Sequence, residues 1–337
     1  MKVQVLGKPT KWRIAVYSAI FWAPVGYLVW LNTMPGKSFS GPTTAASDRE
    51  NRLSEDLSRD VRVLSVDIGE RNLEHPKALE SAAKMIEASL QSSGLEVTRE
   101  PYEAEKQTVA NLEAVKKGGA LETEIVVVGA HYDSVFGSPG GDDNGSGVAA
   151  LLAIAHTLAS EHFARTIRFV AFVNEEPPYF WHDTMGSLVY ARACKARHDE
   201  IVHMISLETM AYFSDAPKSQ KYPFPLGFVY PSEGNFIGFV GNTSSHTDVK
   251  LAVGVFRDNV RVASEGGVYP AFFPGIGWSD QWAFWQVGYP GIMVTDTAPF
   301  RNPNYHTKDD LPQALDFARF AGVVEGVTEI VRKLASP

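Results

Sequence analysis

The chain has 337 residues, of which 45% are hydrophobic and 21% are charged. This composition is typical of a globular protein with a core, built as one large domain or two modest ones. The formal net charge of −8 excludes broad nucleic-acid binding, which requires clustered basic side chains. Cys194 is the only cysteine in the sequence, so no disulfide can form within the chain, and we interpret Cys194 as a thiol packed in a helix.

An uncharged stretch near the amino terminus predicts a transmembrane anchor. Residues 14–31 (IAVYSAIFWAPVGYLVWL) are apolar over nearly the length that a membrane helix requires. Lys2, Lys8, Lys11 and Arg13 precede this stretch. Basic residues favour the cytoplasmic side, so residues 1–13 are predicted to be a cytoplasmic tail and the rest of the chain to be extracytoplasmic, either periplasmic or extracellular. The alternative is a cleaved signal peptide, but the apolar stretch is longer than usual and residues 32–37 contain no A-x-A-like cleavage site.

The remainder of the chain predicts a linker followed by one α/β domain. Residues 32–47 are mostly small and polar, with proline and glycine among them, which is typical of a linker. Helix-type and strand-type patterns then alternate from residue 48 to residue 337. The predicted helices are 78–93, 147–159, 186–197, 279–286 and 315–334, and the predicted strands are 95–102, 109–115, 124–129, 166–173, 203–207 and 291–295. This order predicts a mixed, mostly parallel sheet with helices on both faces.

Polar side chains follow several of these strands, where open α/β sheets place their ligands. The residues concerned are His131 and Asp133, Glu175 and Glu176, Glu208, Asp296 and His306, together with Asp142 and Asp143 in the glycine-rich entrance to helix 147–159. Such a cluster of carboxylates requires neutralising cations. Mixed imidazole and carboxylate ligands favour zinc, and two metals can share one carboxylate. The expected ligands are His131, Asp142, Glu176, Glu208 and His306. Glu175 is then free to act as the general base. Asp133 is expected to accept a hydrogen bond from the second ring nitrogen of His131.

Four ordered motifs resemble those of the M28 zinc aminopeptidases. They are GAHYDS (129–134), PGGDDNGSG (139–147), NEE (174–176) and YHT (305–307), and the similarity extends from about Leu53 to the end of the chain. The resemblance implies that His131 and Glu176 bind different metals and that Asp142 bridges the two, with a cis bond to Asp143 as one expectation. It also implies that His306 is the last ligand and Glu175 the base.

Two positions leave more than one interpretation open. Glu208 matches a position that is aspartate in the best-known relatives, and its side chain reaches about one methylene further. Asp310 follows His306 by four residues and either orients the imidazole or caps a helix before Leu311.

The resemblance therefore implies a two-zinc exopeptidase that removes the first residue from peptides with a free amino terminus, with a metal-bound hydroxide as nucleophile. Three alternatives remain: a glutaminyl cyclase with one zinc, a non-catalytic binding protein, and a carboxypeptidase or dipeptidase. The last would need a cation for the substrate carboxylate, from Arg257, Arg261 or Arg301. We expect residues 179–181 to face substrate. The aromatic residues Trp278, Trp282, Phe284 and Trp285 either line a substrate pocket or pack in the core, and we favour the core. The oligomeric state stays open.

Overall fold

The structure, a computed structural model, describes residues 11–41 and 47–337. Its helices are α1 (Lys11–Asn32), α2 (Asp48–Arg62), α3 (Pro76–Ser92), α4 (Gly145–Leu158), α5 (Gly186–Ala196), α6 (His246–Asn259), α7 (Gln281–Gln286) and α8 (Phe317–Ala335). Its strands are β1 (Glu96–Ala104), β2 (Gln107–Lys116), β3 (Leu121–His131), β4 (Arg165–Phe172), β5 (Glu200–Glu208), β6 (Phe236–Gly241), β7 (Ala263–Val268) and β8 (Ile292–Thr295). A π-helical turn, Val63–Ile68, extends α2.

The eight strands form one sheet in the order β1-β2-β4-β3-β5-β8-β6-β7. Strands β4, β3, β5 and β8 are parallel neighbours, so their carboxyl ends lie at one end of the sheet. Strands β1 and β2 are added antiparallel at one side, and the parallel pair β6 and β7 runs antiparallel to β8 at the other. The mixed, mostly parallel sheet that the sequence predicts is confirmed.

Both faces of the sheet are covered, as the apolar runs of the central strands predict. In β3, Val126 and Val128 belong to the larger hydrophobic cluster, which also contains residues of α2, α3, α4, α6 and α8. Ile125 and Val127 point into the smaller cluster on the opposite face, with residues of α5 and α7. Cys194 is buried in this second cluster, as its interpretation as a packed helix thiol requires.

Helix α1 is long and apolar enough to cross a membrane. Its 22 residues span about 33 Å at ~1.5 Å per residue, against a hydrocarbon layer of ~30 Å. Beyond α1, the first part of the predicted linker lies along the outermost strand, β7. The Asn32 side chain donates to the Val268 carbonyl at 3.0 Å and accepts from the Val268 amide at 2.8 Å. Residues 1–10 of the predicted tail and 42–46 of the linker lie outside the described residues.

The sequence did not predict α2, α6, β6 and β7. Strand β7 (ASEGGV) contains two glycines and a glutamate, and β6 (FIGFVG) contains two glycines. Both residue types have low strand propensity, so these strands depend on pairing with β8 and with each other. The predicted elements differ from the observed ones by a few residues at their ends, which is where helix and strand boundaries are least defined.

Helix α8 packs against α6 through a glycine, and we expect this contact to be sensitive to size. A Cβ atom on Gly326 would lie 2.4 Å from the Phe256 ring. The substitution Gly326→Val should therefore lower the free energy of unfolding by about 1–3 kcal/mol, as overpacked cores generally do. Urea denaturation followed by circular dichroism measures this. Glu329→Val, on the same helix but partly exposed, is the control and should change stability much less.

Candidate metal centre

The carboxyl ends of the parallel strands bring the predicted site residues together. His131 ends β3, Glu208 ends β5, and Glu175 and Glu176 follow β4 after a short turn. His306 lies on the long connection between β8 and α8. All of these are buried except His306, whose side chain is 31% exposed. The turn residues Asn174, Thr209 and His306 have positive φ angles of 58°, 42° and 58°, a conformation that only a well-packed surrounding maintains in non-glycine residues.

Two groups of potential ligands share one carboxylate, that of Asp143. The first group is His131, Asp143 and Glu208, and the second is Asp143, Glu176 and His306; within each group the ligand atoms lie within 4.8 Å of one another. His131 Nε2 is 3.3 Å from Asp143 Oδ1 and 3.2 Å from Glu208 Oε2. His306 Nε2 is 3.0 Å from Asp143 Oδ2 and 3.3 Å from Glu176 Oε2. Asp143 therefore has one oxygen facing each imidazole, which is the arrangement of a bridging carboxylate.

The structure does not place Asp142 in this position: contrary to the expectation for Asp142, it is the Asp143 carboxylate that lies between the two imidazoles. The Asp142 carboxylate accepts hydrogen bonds from the Ala211 amide at 3.1 Å and from Asn302 Nδ2 at 3.0 Å. Burial, together with the neighbouring Asp296 carboxylate, raises the pKa of Asp142 well above its ordinary value. The cis peptide bond is likewise Asp143–Asn144 rather than Asp142–Asp143. In a DD pair on a tight turn the two side chains point in different directions, and the sequence alone does not say which faces the histidines.

Asp133 lies beside His131 but makes its hydrogen bonds elsewhere. Its Oδ1 is 3.6 Å from His131 Nδ1, beyond hydrogen-bond distance. Instead Asp133 accepts from the backbone amides of Glu175 and Glu176, each at 3.1 Å. Its observed role is to hold the turn that carries both glutamates, whereas the expectation was a hydrogen bond that orients the imidazole.

Asp310 neither orients His306 nor caps a helix, which corrects both expectations for this residue. Its two oxygens accept from the amides of Asp142 at 2.9 Å and Asp143 at 3.1 Å. The 3-10 turn at Pro312–Ala314 begins after Leu311 and has no side-chain cap. Asp310 therefore fixes the loop that presents Asp143, from a position 167 residues further along the chain.

Arg71 is not among the residues that the sequence predicted for the site. Its side chain donates hydrogen bonds to the loop that presents Asp143. The side chain is fully buried and donates to the carbonyls of Tyr132 at 2.7 Å, Pro139 at 2.6 Å and Gly140 at 2.9 Å. Burial lowers the pKa of Arg71 to about 10, although nearby carboxylates oppose the shift. Nothing in its local sequence marks Arg71, because its three shortest side-chain hydrogen bonds go to backbone carbonyls more than 60 residues away.

The helix that follows the loop is fixed by Asn144, its N-cap residue. Asn144 Oδ1 accepts from the amides of Gly147 at 3.0 Å and Thr209 at 3.1 Å, and Nδ2 donates to the Leu207 carbonyl at 2.8 Å. A Cβ on Gly147 would lie 2.5 Å from the Leu207 carbonyl oxygen, so the close approach of α4 to β5 requires glycine at that position.

Burial and neighbouring charges shift the pKa values of the carboxyl and imidazole groups in this cluster. Burial raises the pKa of Glu176 to about 8, and the neighbouring Asp143 charge acts in the same direction. Burial likewise raises the pKa values of Glu175 and Glu208. Burial alone would lower the pKa of His131, but the charges of Glu208 and Glu175 outweigh it and raise the pKa well above the ordinary value. The raised pKa values show that the surroundings of these groups favour positive charge. Such a site attracts cations.

Several buried polar atoms of the cluster lack a hydrogen-bond partner among residues 11–41 and 47–337. They are both ring nitrogens of His131, Nε2 of His306 and Oδ1 of Asp143. Buried nitrogen and oxygen atoms are nearly always hydrogen-bonded in proteins. Nε2 of His131 lies 3.3 Å from Oδ1 of Asp143 and Nε2 of His306 lies 3.0 Å from Oδ2 of the same carboxylate, whereas Nδ1 of His131 is on the other side of its ring, 3.6 Å from Asp133 Oδ1. Their chemistry, imidazole with carboxylate, fits zinc.

An aromatic cavity opens beside the metal centre and shares Glu208 with it; Tyr305, whose ring stacks on His306 at 3.8 Å, also lines the cavity. Residues 222–230 and 269–278 contribute to its lining, together with residues of β6, β7, β8 and the segment 297–305. The aromatic side chains lining it are Tyr222, Tyr230, Phe236, Tyr269, Trp278, Phe300 and Tyr305. Trp278, expected in the core, thus lines the cavity, while Trp181, expected to face substrate, stacks on Trp282 and donates to the Gly277 carbonyl. Sequence analysis missed the 222–230 wall, which lies outside the recognised motifs.

Comparisons with known proteins agree with this fold. The model of Peptidase family M28 matches residues 109–331. The uncharacterized protein YfbL of Escherichia coli is 33% identical over 314 residues, which cover 90% of this chain and 92% of YfbL. Among solved structures, BSAP, a zinc aminopeptidase from Bacillus subtilis, has a TM-score of 0.69 at 16% identity, covering 84% of this chain and 95% of BSAP. A glutaminyl cyclase from Bacteroides thetaiotaomicron has a TM-score of 0.60 at 16% identity, covering 83% and 97%.

The fold and the ligand groups together define a zinc-dependent hydrolase. The chain belongs to peptidase family M28, as the ordered motifs of the sequence predicted.

The position of Asp143, and not Asp142, between the two imidazoles can be tested directly by mutation. We expect Asp143→Asn to lose most of its bound zinc, because the Asp143 carboxylate faces both imidazoles. Asp142→Asn is the matched control and should retain the metal of the parent protein, since Asp142 contacts Ala211 and Asn302. Elemental analysis of the purified full-length variants measures this. Loss of zinc from the Asp142 variant alone would restore Asp142 as the ligand.

Proposed function

We propose that this protein is a two-zinc aminopeptidase. The observation that carries the proposal is the pair of ligand groups that share Asp143. One zinc would be held by His131, Asp143 and Glu208, and the other by Asp143, Glu176 and His306. When bound, a metal pair of this kind polarises the scissile carbonyl and makes water nucleophilic at neutral pH.

Glu175 is the proposed general base. Its Oε2 lies 3.8 Å from His131 Nε2, so it borders the ligand groups without belonging to either of them. Its backbone is held by Asp133, which fixes the direction of the side chain. Burial raises the pKa of Glu175 well above the ordinary value, and a carboxyl group with a raised pKa can both accept and return a proton near neutral pH. Glu175 would take the proton from the attacking water and deliver it to the leaving amine.

The aromatic cavity is the proposed binding place for the side chain of the first substrate residue. It adjoins the metal centre at Glu208 and Tyr305, so a peptide with its scissile bond at the metals would direct its first side chain there. The free amino group would lie near Glu208, whose Oε2 accepts a 2.7 Å hydrogen bond from Ser279. Peptides that begin with a large apolar or aromatic residue fit these walls best.

The arginines considered for a carboxypeptidase have other contacts. Arg301 donates to Gln220 at 2.8 Å and to the Phe236 carbonyl at 2.8 Å. Arg257 donates to Ser264 and to the Pro35 carbonyl. Arg261 is exposed beyond the end of α6. These contacts favour recognition of a substrate amino group over recognition of a substrate carboxylate.

We also propose that α1 spans a membrane with residues 1–13 in the cytoplasm and the peptidase domain outside it. The basic residues before α1 support this direction. The end of α1 packs on the domain, with Leu31 fully buried and Asn32 bonded to Val268, and these contacts favour retention of the helix over its cleavage.

Replacing Glu175 tests the proposed mechanism. Glu175→Gln preserves size and polarity but removes the proton acceptor, so we expect kcat on aminoacyl-nitroanilides to fall by about 10²–10⁴-fold while zinc content is unchanged. Glu103→Gln, at an exposed position of β1, is the control and should leave kcat unaltered. A Glu175→Gln variant with parental kcat would refute the assigned role.

Metal stoichiometry separates the aminopeptidase from the alternatives. We expect about two zinc ions per chain in the purified full-length protein, and loss of nitroanilide release on chelation followed by recovery on zinc addition. One zinc per chain with cyclisation of an amino-terminal glutamine peptide would instead favour the glutaminyl cyclase. Chains without metal or turnover would favour a binding protein.

A further inference from the structure

Two segments on the cavity side of the domain contain no charged residue. They are residues 222–232 (YPFPLGFVYPS) and residues 266–279 (GGVYPAFFPGIGWS), here called the apolar loops. Lys218 and Lys221 lie immediately before the first loop. Residues 266–268 belong to β7 and are buried, but both apolar loops also contain exposed residues, in a protein whose net charge is −8.

The apolar loops expose large hydrophobic side chains. Phe224 is 84% exposed, Phe228 85%, Val229 73% and Phe272 88%. The rings of Phe224 and Phe228 are 6.1 Å apart, so they form one patch. Leaving such side chains in water is unfavourable, and patches of this kind mark contact with a partner or a membrane.

The apolar loops lie where α1 meets the domain. The hydroxyl of Tyr230 is 3.4 Å from Asn32 Oδ1, at the end of α1, and 2.9 Å from the hydroxyl of Tyr269. The Tyr230 ring stacks on Tyr222 at 5.7 Å, at the start of the first loop. In the second loop Tyr269 stacks on Phe273 at 5.2 Å. Both loops are therefore connected to the last residue of α1 through a single cluster of tyrosines.

Contacts on both sides of Asn32 join α1 to the domain. Lys250 donates to the Trp30 carbonyl at 2.7 Å and lies 4.5 Å from the centre of the Trp30 ring. Arg257 donates to the Pro35 carbonyl at 3.0 Å, and the Ser264 amide donates to Ser38 Oγ at 2.9 Å. The end of α1 is therefore anchored on the domain next to the apolar loops.

We propose that the apolar loops insert into the interfacial layer of the same bilayer that α1 crosses. The inference rests on the proposed spanning of the membrane by α1, and not on the proposed peptidase activity. Tyrosine and tryptophan favour the membrane interface, and phenylalanine inserts at the boundary between headgroups and acyl chains. The end of α1 contributes Tyr27 and Trp30, whose rings are 5.8 Å apart. Phe224, Phe228 and Phe272 extend this aromatic belt from the helix onto the domain. Lys218 and Lys221 lie next to it, where they can meet phosphate groups of lipids.

Site-specific fluorescence quenching in liposomes tests the proposal with the full-length chain. Phe228→Cys and Phe272→Cys each carry an environment-sensitive fluorophore; neither residue lines the cavity. Cys194 is buried, and burial raises its thiol pKa to about 12, so it should not be labelled in the folded protein. Glu103→Cys is the matched control: it lies in β1, at the opposite side of the sheet from β7, near the carboxyl end of β1 and far from Asn32 and Val268.

With phospholipids that carry a nitroxide at a shallow acyl position, we expect the labels at 228 and 272 to be quenched at least twofold more than the label at 103. Equal quenching at all three positions would overturn the proposal. A blue-shifted emission at 228 and 272 without lipid quenching, together with cross-linked dimers, would also overturn it and assign the loops to contact with a second copy of the chain.

The quenching result can be separated from misfolding and from the proposed peptidase activity. Circular dichroism of each labelled variant shows whether it is folded, and Val229→Cys replaces any variant that is not. Quenching reports the position of the loops and not turnover, so a protein without peptidase activity would leave the expected quenching unchanged.

Discussion

The repulsion among buried carboxylates around two imidazole rings is the constraint on which the rest of the site depends. Asp143, Glu175, Glu176 and Glu208 are all more than nine-tenths buried. Arg71 is a buried cation beside the loop that presents Asp143. Its N–H groups donate to backbone carbonyls and not to the carboxylates of the cluster. Such an arrangement is stable only if other cations neutralise it, and the unpartnered ring nitrogens mark where those cations belong.

The supporting residues act on the backbone and not on the ligands. Asp133 holds the amides of Glu175 and Glu176, Asp310 holds those of Asp142 and Asp143, and Asn144 joins the start of α4 to the end of β5. These contacts fix the turns at the strand ends, and the turns fix the direction of each ligand side chain. A ligand set can thus be placed accurately on loops, because each loop is hydrogen-bonded to a distant part of the chain.

The connection of α1 to β7 links the orientation of the peptidase domain to the helix. Asn32 satisfies both backbone groups of Val268, at the outermost strand of the sheet, so it also covers part of an edge that would otherwise be free to pair with another strand. The inner surfaces of the apolar loops line the cavity beside the metal centre, and their outer surfaces carry the exposed phenylalanines. The same two segments therefore join the proposed substrate-binding cavity to the proposed lipid contact.

Local patterns and short motifs in the sequence are enough to predict part of this structure. Apolar runs predicted the central strands, because strands buried on both faces need nearly every residue to be apolar. The motifs around His131, Glu175, Glu176 and His306 predicted the members of the site. Tertiary structure decided what depends on long-range contacts: that Asp143 rather than Asp142 faces the imidazoles, and that Asp310 and Arg71 hold the loop. It also decided that the glycine-rich strands β6 and β7 form at all. These features depend on hydrogen bonds between residues far apart in the chain, whose energies no local pattern in the sequence records.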